Sequence, residues 1–446
     1  MLPTAVDHCP AHASLGCGVC RLSPGGEPVE DLKLRPAEAG RTSWEGRVHV
    51  KKVRFGLVGM GNIGIHHFSY FPELENAELT AICDIDPAKV HELKLPKDFD
   101  YAADQAVLDD SIAQFTDYRA MLDSGRVDAV IIAVPHYFHP DMAVEAFRRG
   151  IHVICEKPVA ITGRLAREMN AAHADSQVVY AAMFQMRTNP TYIKIKEMLE
   201  DGTLGEVRRV SWIITDWFRT QTYYDSGGWR GNWTGEGGGV LMNQCPHNLD
   251  LFQWFFGLPK RLYAMVHLGK WHDITVEDDV SVLMELANGA TASFITTTGD
   301  TPGTNRLEIT ADNGKLVLEK GRLTFFKTED SVQRIIEQSE VGFYAVSPEV
   351  MDVDVEPKPH GHKWITQNTI NAILDKEPLI APGTEGLESV QLANAILLSG
   401  IKGRPVEVPV CEDEFDELLE ELRAEERRNA PDKAFDWEAY INSFSR

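Results

Sequence analysis

Short apolar runs alternate with amphipathic stretches from Val53 to about Ala174. The runs at 53–58, 78–83, 127–134 and 151–155 read as strands, and helices are predicted near 62–71, 117–124, 139–149 and 162–174. Such alternation predicts a parallel sheet covered on both faces by helices. The segment 95–114 is longer and more polar than an ordinary connection and reads as an excursion at one sheet edge.

The pattern changes after residue 175. Long β-rich runs occupy 206–216, 261–269, 279–299 and 306–326, and Asn288-Gly289 and Asn313-Gly314 supply turn signals. A large open mixed or antiparallel sheet is expected, with helices at 188–200, 240–256, 362–375 and 387–400 covering one face. Along 412–428, Phe415, Leu418, Leu419 and Leu422 fall on one helical stripe among acids, predicting a helix docked on the body. The chain is thus an α/β protein. Its expected parts are an N-terminal doubly wound domain over 51–174, a second α/β domain over 175–410 and a helical tail over 411–446.

At 446 residues the chain exceeds what one core usually supports. Residues 1–50 are rich in Pro, Gly, Ala and charge, lack periodicity and read as a disordered extension. His8, Cys9, His12, Cys17 and Cys20 lack a matching second ligand pair, so no metal is expected. The formal charge of -23 disfavours nucleic acid and anionic membranes as partners. No apolar run spans a bilayer and the start lacks a secretory pattern. Seven cysteines, an odd number, suit reduced thiols and a cytoplasmic location.

The candidate chemistry begins at Val58-Gly59-Met60-Gly61-Asn62-Ile63-Gly64, an apolar run ending in Gly-x-Gly-x-x-Gly. A second apolar run closes on Asp84, 20 residues past Gly64. This is the spacing of a dinucleotide-binding βαβ unit. Gly59 permits the tight turn, Gly61 admits a pyrophosphate close to the backbone, and Gly64 lets the helix pack on the strand. Free N–H groups at the helix start complement phosphate. A carboxylate at 84 accepts hydrogen bonds from a ribose diol and repels a 2′-phosphate. Ile85 and Asp86 follow it without an Arg, so NAD is expected rather than NADP.

Two further segments carry polar groups. Ile151–Cys155 ends in Glu156-Lys157-Pro158, and a lysine at the carboxyl end of a parallel strand points into the ligand crevice. Gly237–Asp250 contains Asn243, His247 and Asp250, which share one face if the segment is helical, with Pro246 near its start. Together these segments resemble the Gfo/Idh/MocA family of pyridine-nucleotide sugar and cyclitol oxidoreductases, from about Lys52 to Pro409. Glu156-Lys157-Pro158 matches the family element without change. Asn243 stands where many members carry Asp.

The resemblance implies a Rossmann domain followed by an open-sheet domain that makes oligomer contacts, and a homo-oligomer (dimer or tetramer) is expected. It also implies Lys157 at the substrate hydroxyl and His247 as acid/base, with Asn243 orienting the ring and Asp250 orienting His247 or binding a hydroxyl. Neutral imidazole, with an ordinary pKa of about 6.5, accepts the hydroxyl proton near neutral pH. Lys157 stabilises developing alkoxide charge. Pro135, His136, Glu156 and Gln185 are expected near the nicotinamide, and Arg187 in the same crevice. His139 is expected to cap a helix, and His360 and His362 to border the pocket.

Four of the nine tryptophans lie within 212–233, among Arg219, Tyr223, Trp229 and Arg230. That mixture suits a sugar site, where rings stack on the apolar face and charges hold hydroxyls. It equally suits a loop that uses aromatics as its own core, or an oligomer contact. The expected activity is NAD-dependent oxidation of a secondary hydroxyl in a sugar, glycoside or cyclitol, with a sugar C3 as one candidate position. Two alternatives stay open: glycoside cleavage through a closed redox cycle on tightly bound NAD, and a dinucleotide-sensing binding protein without catalysis.

Overall fold

The computed structural model describes residues 52–91 and 111–443. The expectations for residues 1–50, including the cysteine–histidine cluster, and for most of the 95–114 excursion lie outside the described residues.

The first sheet is built from β1 (Val53–Val58), β2 (Ala77–Cys83), β3 (Ala113–Phe115), β4 (Ala129–Ile132), β5 (His152–Cys155) and β6 (Tyr180–Ala182). Its helices are α1 (Asn62–Tyr70), α2 (Pro87–His91), α3 (Tyr118–Asp123), α4 (His139–Arg148) and α5 (Gly163–Ala174). The strands run in the order β3-β2-β1-β4-β5-β6, with every pairing parallel. Phe55, Leu57, Ile131 and Ile154 are fully buried because helices cover both faces. The order reverses between β1 and β4, so a crevice opens at their carboxyl ends.

Two strands of this sheet escape the sequence pattern. β3 and β6 are three residues each, too short for a periodic signal. The change of pattern after residue 175 predicts that the second domain opens there. Instead Tyr180–Ala182 pairs with β5 as the sixth strand of the first sheet.

The second sheet comprises β7 (Val207–Ile214), β8 (Arg261–Leu268), β9 (Glu277–Glu285), β10 (Thr291–Thr297) and β11 (Asn305–Ala311). It continues with β12 (Gly314–Glu319), β13 (Arg322–Lys327), β14 (Glu349–Asp352) and β15 (Val406–Glu407). The order is β14-β13-β12-β11-β7-β10-β9-β8-β15. It is mixed, because β7 and β10 are parallel while their other neighbours are antiparallel. The two Asn-Gly turns divide the long apolar runs into hairpins, as their turn chemistry requires.

The remaining helices are α6 (Pro190–Glu200), α7 (Gln221–Asp225), α8 (Pro246–Phe256), α9 (Val332–Gln338), α10 (His362–Asp375), α11 (Gly386–Lys402), α12 (Glu412–Asn429) and α13 (Trp437–Ser443). Leu249 and Phe252 of α8 and Leu392 and Ile396 of α11 share a core with Leu262 and Ala264 of β8. The alternate residues of β8, Tyr263 and Met265, are exposed on the other face. Helix α10 departs from expectation: Ile365 and Ile370 join the core of the first sheet rather than covering the second. The α12 stripe Phe415, Leu418, Leu419 and Leu422 is buried against the second core.

Candidate functional site

The glycine turn between β1 and α1 closes for steric reasons. Gly59 has a φ of 94°, and a Cβ there would meet the Ala133 carbonyl oxygen at 2.4 Å. A Cβ on Gly64 would lie 1.8 Å from the Gly59 carbonyl oxygen, so the helix could not approach the turn. Gly61 has open space where a Cβ would stand, and it precedes α1 without a side-chain cap hydrogen bond. The helix start therefore keeps backbone N–H groups for an anion. Asp84 is buried at the end of β2, its Oδ2 accepting from the Met60 backbone N–H at 2.7 Å and its Oδ1 from Asp86 N–H at 2.9 Å.

A cavity of about 880 Å³ runs from this turn to the second sheet's loops. Gly59, Gly61, Asn62, Ile63, Asp84, Pro135, His136, Glu156 and Lys157 line it on the first side. Tyr223, Trp229, Arg230, Asn243 and His362 line it on the other. Behind its wall, His67 Nε2 lies 2.7 Å from Glu156 Oε1. Burial raises the Glu156 pKa, but the His67 contact and the nearby His362 and Lys157 more than offset this and hold the carboxyl below its ordinary range. Burial lowers the Lys157 pKa from its ordinary value, Glu156 and Glu236 opposing the effect and Arg230 and Arg219 adding to it. Lys157 Nζ donates to the Asn243 backbone carbonyl at 2.8 Å.

The helical-face reading of 243, 247 and 250 does not hold. Pro246 is the first residue of α8, where its missing N–H costs no helix bond, so residue 243 lies in the preceding turn. That turn is forced by Gly237 and Gly238 at positive φ. Gly239 is set so close to β9 that a Cβ would meet the Glu277 carbonyl oxygen at 2.0 Å. The Asn243 side-chain amide consequently donates to Glu236, not toward His247. Glu277 is fully buried and anchors the turn through the N–H groups of Gly239 (2.8 Å) and Leu241 (3.0 Å).

His247 sits in the first turn of α8, buried, with Nε2 3.0 Å from the Gln185 side-chain nitrogen. Burial, with the nearby Lys157 charge adding to it, pushes its pKa well below the ordinary value, so the ring is neutral through neutral pH. Its Nδ1 has no hydrogen-bond partner among the described residues. Arg187 and Asp250, expected in the substrate crevice, form a buried ion pair with each other instead. His136 Nδ1 lies 3.3 Å from the Glu236 carbonyl. His139 is the first residue of α4, but rather than capping it the ring lies between the carbonyls of Val134 and Pro158. His362 lines the cavity and opens α10, whereas His360 is exposed outside it.

The aromatic segment divides its duties. Trp212 and Trp233 are core residues, and Trp217 Nε1 donates to Asn248. Arg230 lies 4.6 Å from the Tyr223 ring centroid and 4.5 Å from that of Trp229, and it donates to the Tyr223 hydroxyl. These three form a polar-faced aromatic wall. Arg219 stays outside the lining, bonded to the Trp217 and Phe218 carbonyls.

Residues 53–184 match the family model for the oxidoreductase family with an NAD-binding Rossmann fold, and residues 192–317 match the Gfo/Idh/MocA C-terminal domain. The chain belongs to the Gfo/Idh/MocA family of oxidoreductases. Inositol 2-dehydrogenase of Rhizobium meliloti is 24% identical over 372 residues, covering 80% of this chain and 99% of its own. Levoglucosan dehydrogenase of Pseudarthrobacter phenanthrenivorans is 26% identical over 233 residues, covering 46% of this chain and 59% of the relative. Among solved structures, the WlbA dehydrogenase of Chromobacterium violaceum in complex with NADH and UDP-GlcNAcA is 27% identical. It superposes with a TM-score of 0.67 and covers 81% of this chain and 97% of that one.

The Gfo/Idh/MocA cradle here fits a dinucleotide: an open Gly61, an uncapped helix start and a buried acid converge on one cavity. Three contributors lie outside the sequence argument. Lys89 of α2 lines the cavity with Nζ 3.7 Å from Asp84, a cation five residues past the acid rather than directly beside it. Glu236 is buried behind Asn243, and its only sequence signal is its place before the triple glycine. Trp437, Tyr440 and Ile441 of α13 line the cavity from beyond both family models. Among the described residues, no helix is long and apolar enough to cross a membrane.

Proposed function

We propose that this protein is an NAD-dependent dehydrogenase that takes hydride from a secondary hydroxyl of a sugar, glycoside or cyclitol. The observation carrying this reading is the position of Lys157, whose ammonium stands on the cavity wall between the nucleotide cradle and the Tyr223–Trp229–Arg230 wall. Relatives that are dehydrogenases of levoglucosan and inositol support a polyhydroxylated ring as substrate. Bound NAD would supply the hydride acceptor.

The chain's own residues account for the rest of the reaction. Lys157 holds the reacting oxygen and stabilises alkoxide character as the hydroxyl proton leaves. His247, neutral at physiological pH, is the proton acceptor, and Gln185 orients its ring. The Asn243 carbonyl holds the Lys157 ammonium, and the Glu156 charge favours its protonated form. Trp229 and Tyr223 offer ring faces to the sugar, and Arg230 holds a hydroxyl. Asp84 selects NAD over NADP by accepting from the ribose diol. The open face of the second sheet, with Tyr263, Met265 and Leu283 exposed, receives a second copy of the chain in a homo-oligomer.

The test is a screen of myo-inositol, levoglucosan and methyl glucosides with NAD, reading NADH by its near-ultraviolet absorbance. Net NADH with one of these probes is expected. Glycoside cleavage without net NADH would replace the reading by a closed redox cycle, and absence of both would leave a binding protein.

A further inference from the structure

Glu236 occupies a position that no part of the reaction above requires. It is fully buried at the end of the aromatic loop. Its Oε2 accepts from the Gly231 backbone N–H at 2.7 Å. Its Oε1 accepts from the Asn243 side-chain amide and lies 3.9 Å from the Arg230 guanidinium. Asn243 in turn offers its backbone carbonyl to Lys157 Nζ. A carboxylate, an amide and an ammonium are thus linked in series across the cavity wall, at the place where many family members carry Asp in place of Asn243.

We propose that Glu236 is the positioning residue for Lys157: it supplies from the neighbouring turn the negative charge that Asn243 lacks, and it fixes Asn243 so that its carbonyl holds the ammonium at the cavity. This rests on the dehydrogenase reading only for its catalytic consequence. A merely structural Glu236 would close the turn through Gly231 and leave the titration of Lys157 untouched.

The charges facing these groups set the sign. Lys157 faces Glu156 on its own strand end, Glu236, Arg230 and Arg219 from the aromatic loop, and the imidazoles of His136, His139, His247 and His362. Glu236 faces Arg230, Lys157, Glu277, Tyr223 and Tyr224; burial raises its pKa, and Arg230, the Gly231 N–H, the Asn243 amide and Lys157 oppose that rise and favour the carboxylate. Removing the Glu236 charge leaves Glu156 as the carboxylate facing Lys157 against Arg230 and Arg219, and lowers the lysine pKa. One unit charge at several ångströms in such surroundings corresponds to about one pH unit.

The experiment reads Lys157 without any substrate. Lysines of the full-length protein are reductively dimethylated with ¹³C-formaldehyde, and the Lys157 resonance is identified by its loss in Lys157→Arg. In Glu236→Gln its titration should fall by about one pH unit, and the basic limb of kcat/KM on whichever of myo-inositol or levoglucosan is oxidised should move with it. The exchange Glu236→Gln/Asn243→Asp retains both hydrogen bonds, since the new glutamine can accept from Gly231 and donate to the new aspartate. It should restore the native titration to within about half a unit. An unmoved titration in Glu236→Gln, or an exchange variant that stays displaced, overturns the proposal. If Glu236→Gln does not fold, the exchange variant decides alone: a native titration supports the proposal and a displaced one overturns it. Failure of every sugar and cyclitol probe would overturn the dehydrogenase reading while leaving this titration result in force.

Discussion

Arg187 and Asp250 bind each other rather than a substrate: Nε and Nη2 of the guanidinium reach the two carboxylate oxygens at 2.9 and 2.6 Å. Both side chains are almost wholly buried, and Glu385 engages the remaining face of the guanidinium. The pair ties the loop after β6 to α8, the helix that carries His247.

Breaking this pair should therefore cost stability more than it alters chemistry. Arg187→Ala strands a buried carboxylate, and such truncations cost roughly 3–5 kcal/mol. Urea unfolding of Arg187→Ala should show that loss, and Arg187→Met/Asp250→Leu should recover at least half of it. Equal stability of native protein and Arg187→Ala would mean that the pair is solvated in solution.

This pair also marks the boundary of what the sequence reveals. The glycine turn, Asp84 and the Glu156-Lys157 strand end are legible because their geometry is local: spacing along 30-odd residues fixes who meets whom. The hairpins of the second sheet are legible for the same reason. The relation of Asn243 to His247 is not, because it turns on where a helix begins, and Pro246 with the glycines before it starts α8 three residues past Asn243. Glu277 and Trp437 enter the site region through contacts with distant segments, and Glu236 through an irregular loop; for neither does a single sequence offer a periodic or spacing signal. The dual role of the tryptophans is a case of the same kind, since core and cavity wall demand the same residue type.

Cofactor choice can be tested at two positions. Calorimetric titration should show NAD binding far more tightly than NADP, because the Asp84 carboxylate repels a 2′-phosphate. Asp84→Ser should narrow the gap, and here Lys89 matters, since it would then face the phosphate without its carboxylate neighbour. Asp84→Ser/Lys89→Ala should lose the NADP binding that Asp84→Ser gains. Equal or tighter NADP binding by the native protein would refute the assignment.

For the chemical step, Lys157→Ala and His247→Ala should each lower turnover by roughly 10²-fold or more while NAD still binds. Near-native turnover in either variant would remove that residue from the mechanism. The pH profile adds a sign. A base must be deprotonated to act, and burial lowers the His247 pKa. The acid-side onset of kcat/KM should accordingly lie well below pH ~6.5, the ordinary imidazole value. An onset above it would point to another base.

The last prediction concerns Glu277, whose burial raises its pKa from 4.5 to about 7, against the opposing backbone hydrogen bonds from Leu241 and Gly239. In the unfolded chain this carboxyl releases its proton near its ordinary value, while in the folded protein it keeps it. Between pH 4.5 and about 7 the unfolded state thus binds fewer protons, and stability falls as pH rises. The contribution is fully present below the unfolded pKa and lost once pH passes the folded one. The displacement is worth roughly 3 kcal/mol across that window. Glu277→Gln cannot titrate and should flatten this part of the profile, whatever its effect on absolute stability. Urea unfolding of both proteins from pH 4.5 to 8 measures the slopes. Parallel profiles would show that Glu277 is ionised in the folded state throughout, held so by the two N–H groups of the glycine turn. In that case the turn carrying Asn243 would be anchored by a buried anion rather than by a neutral acid.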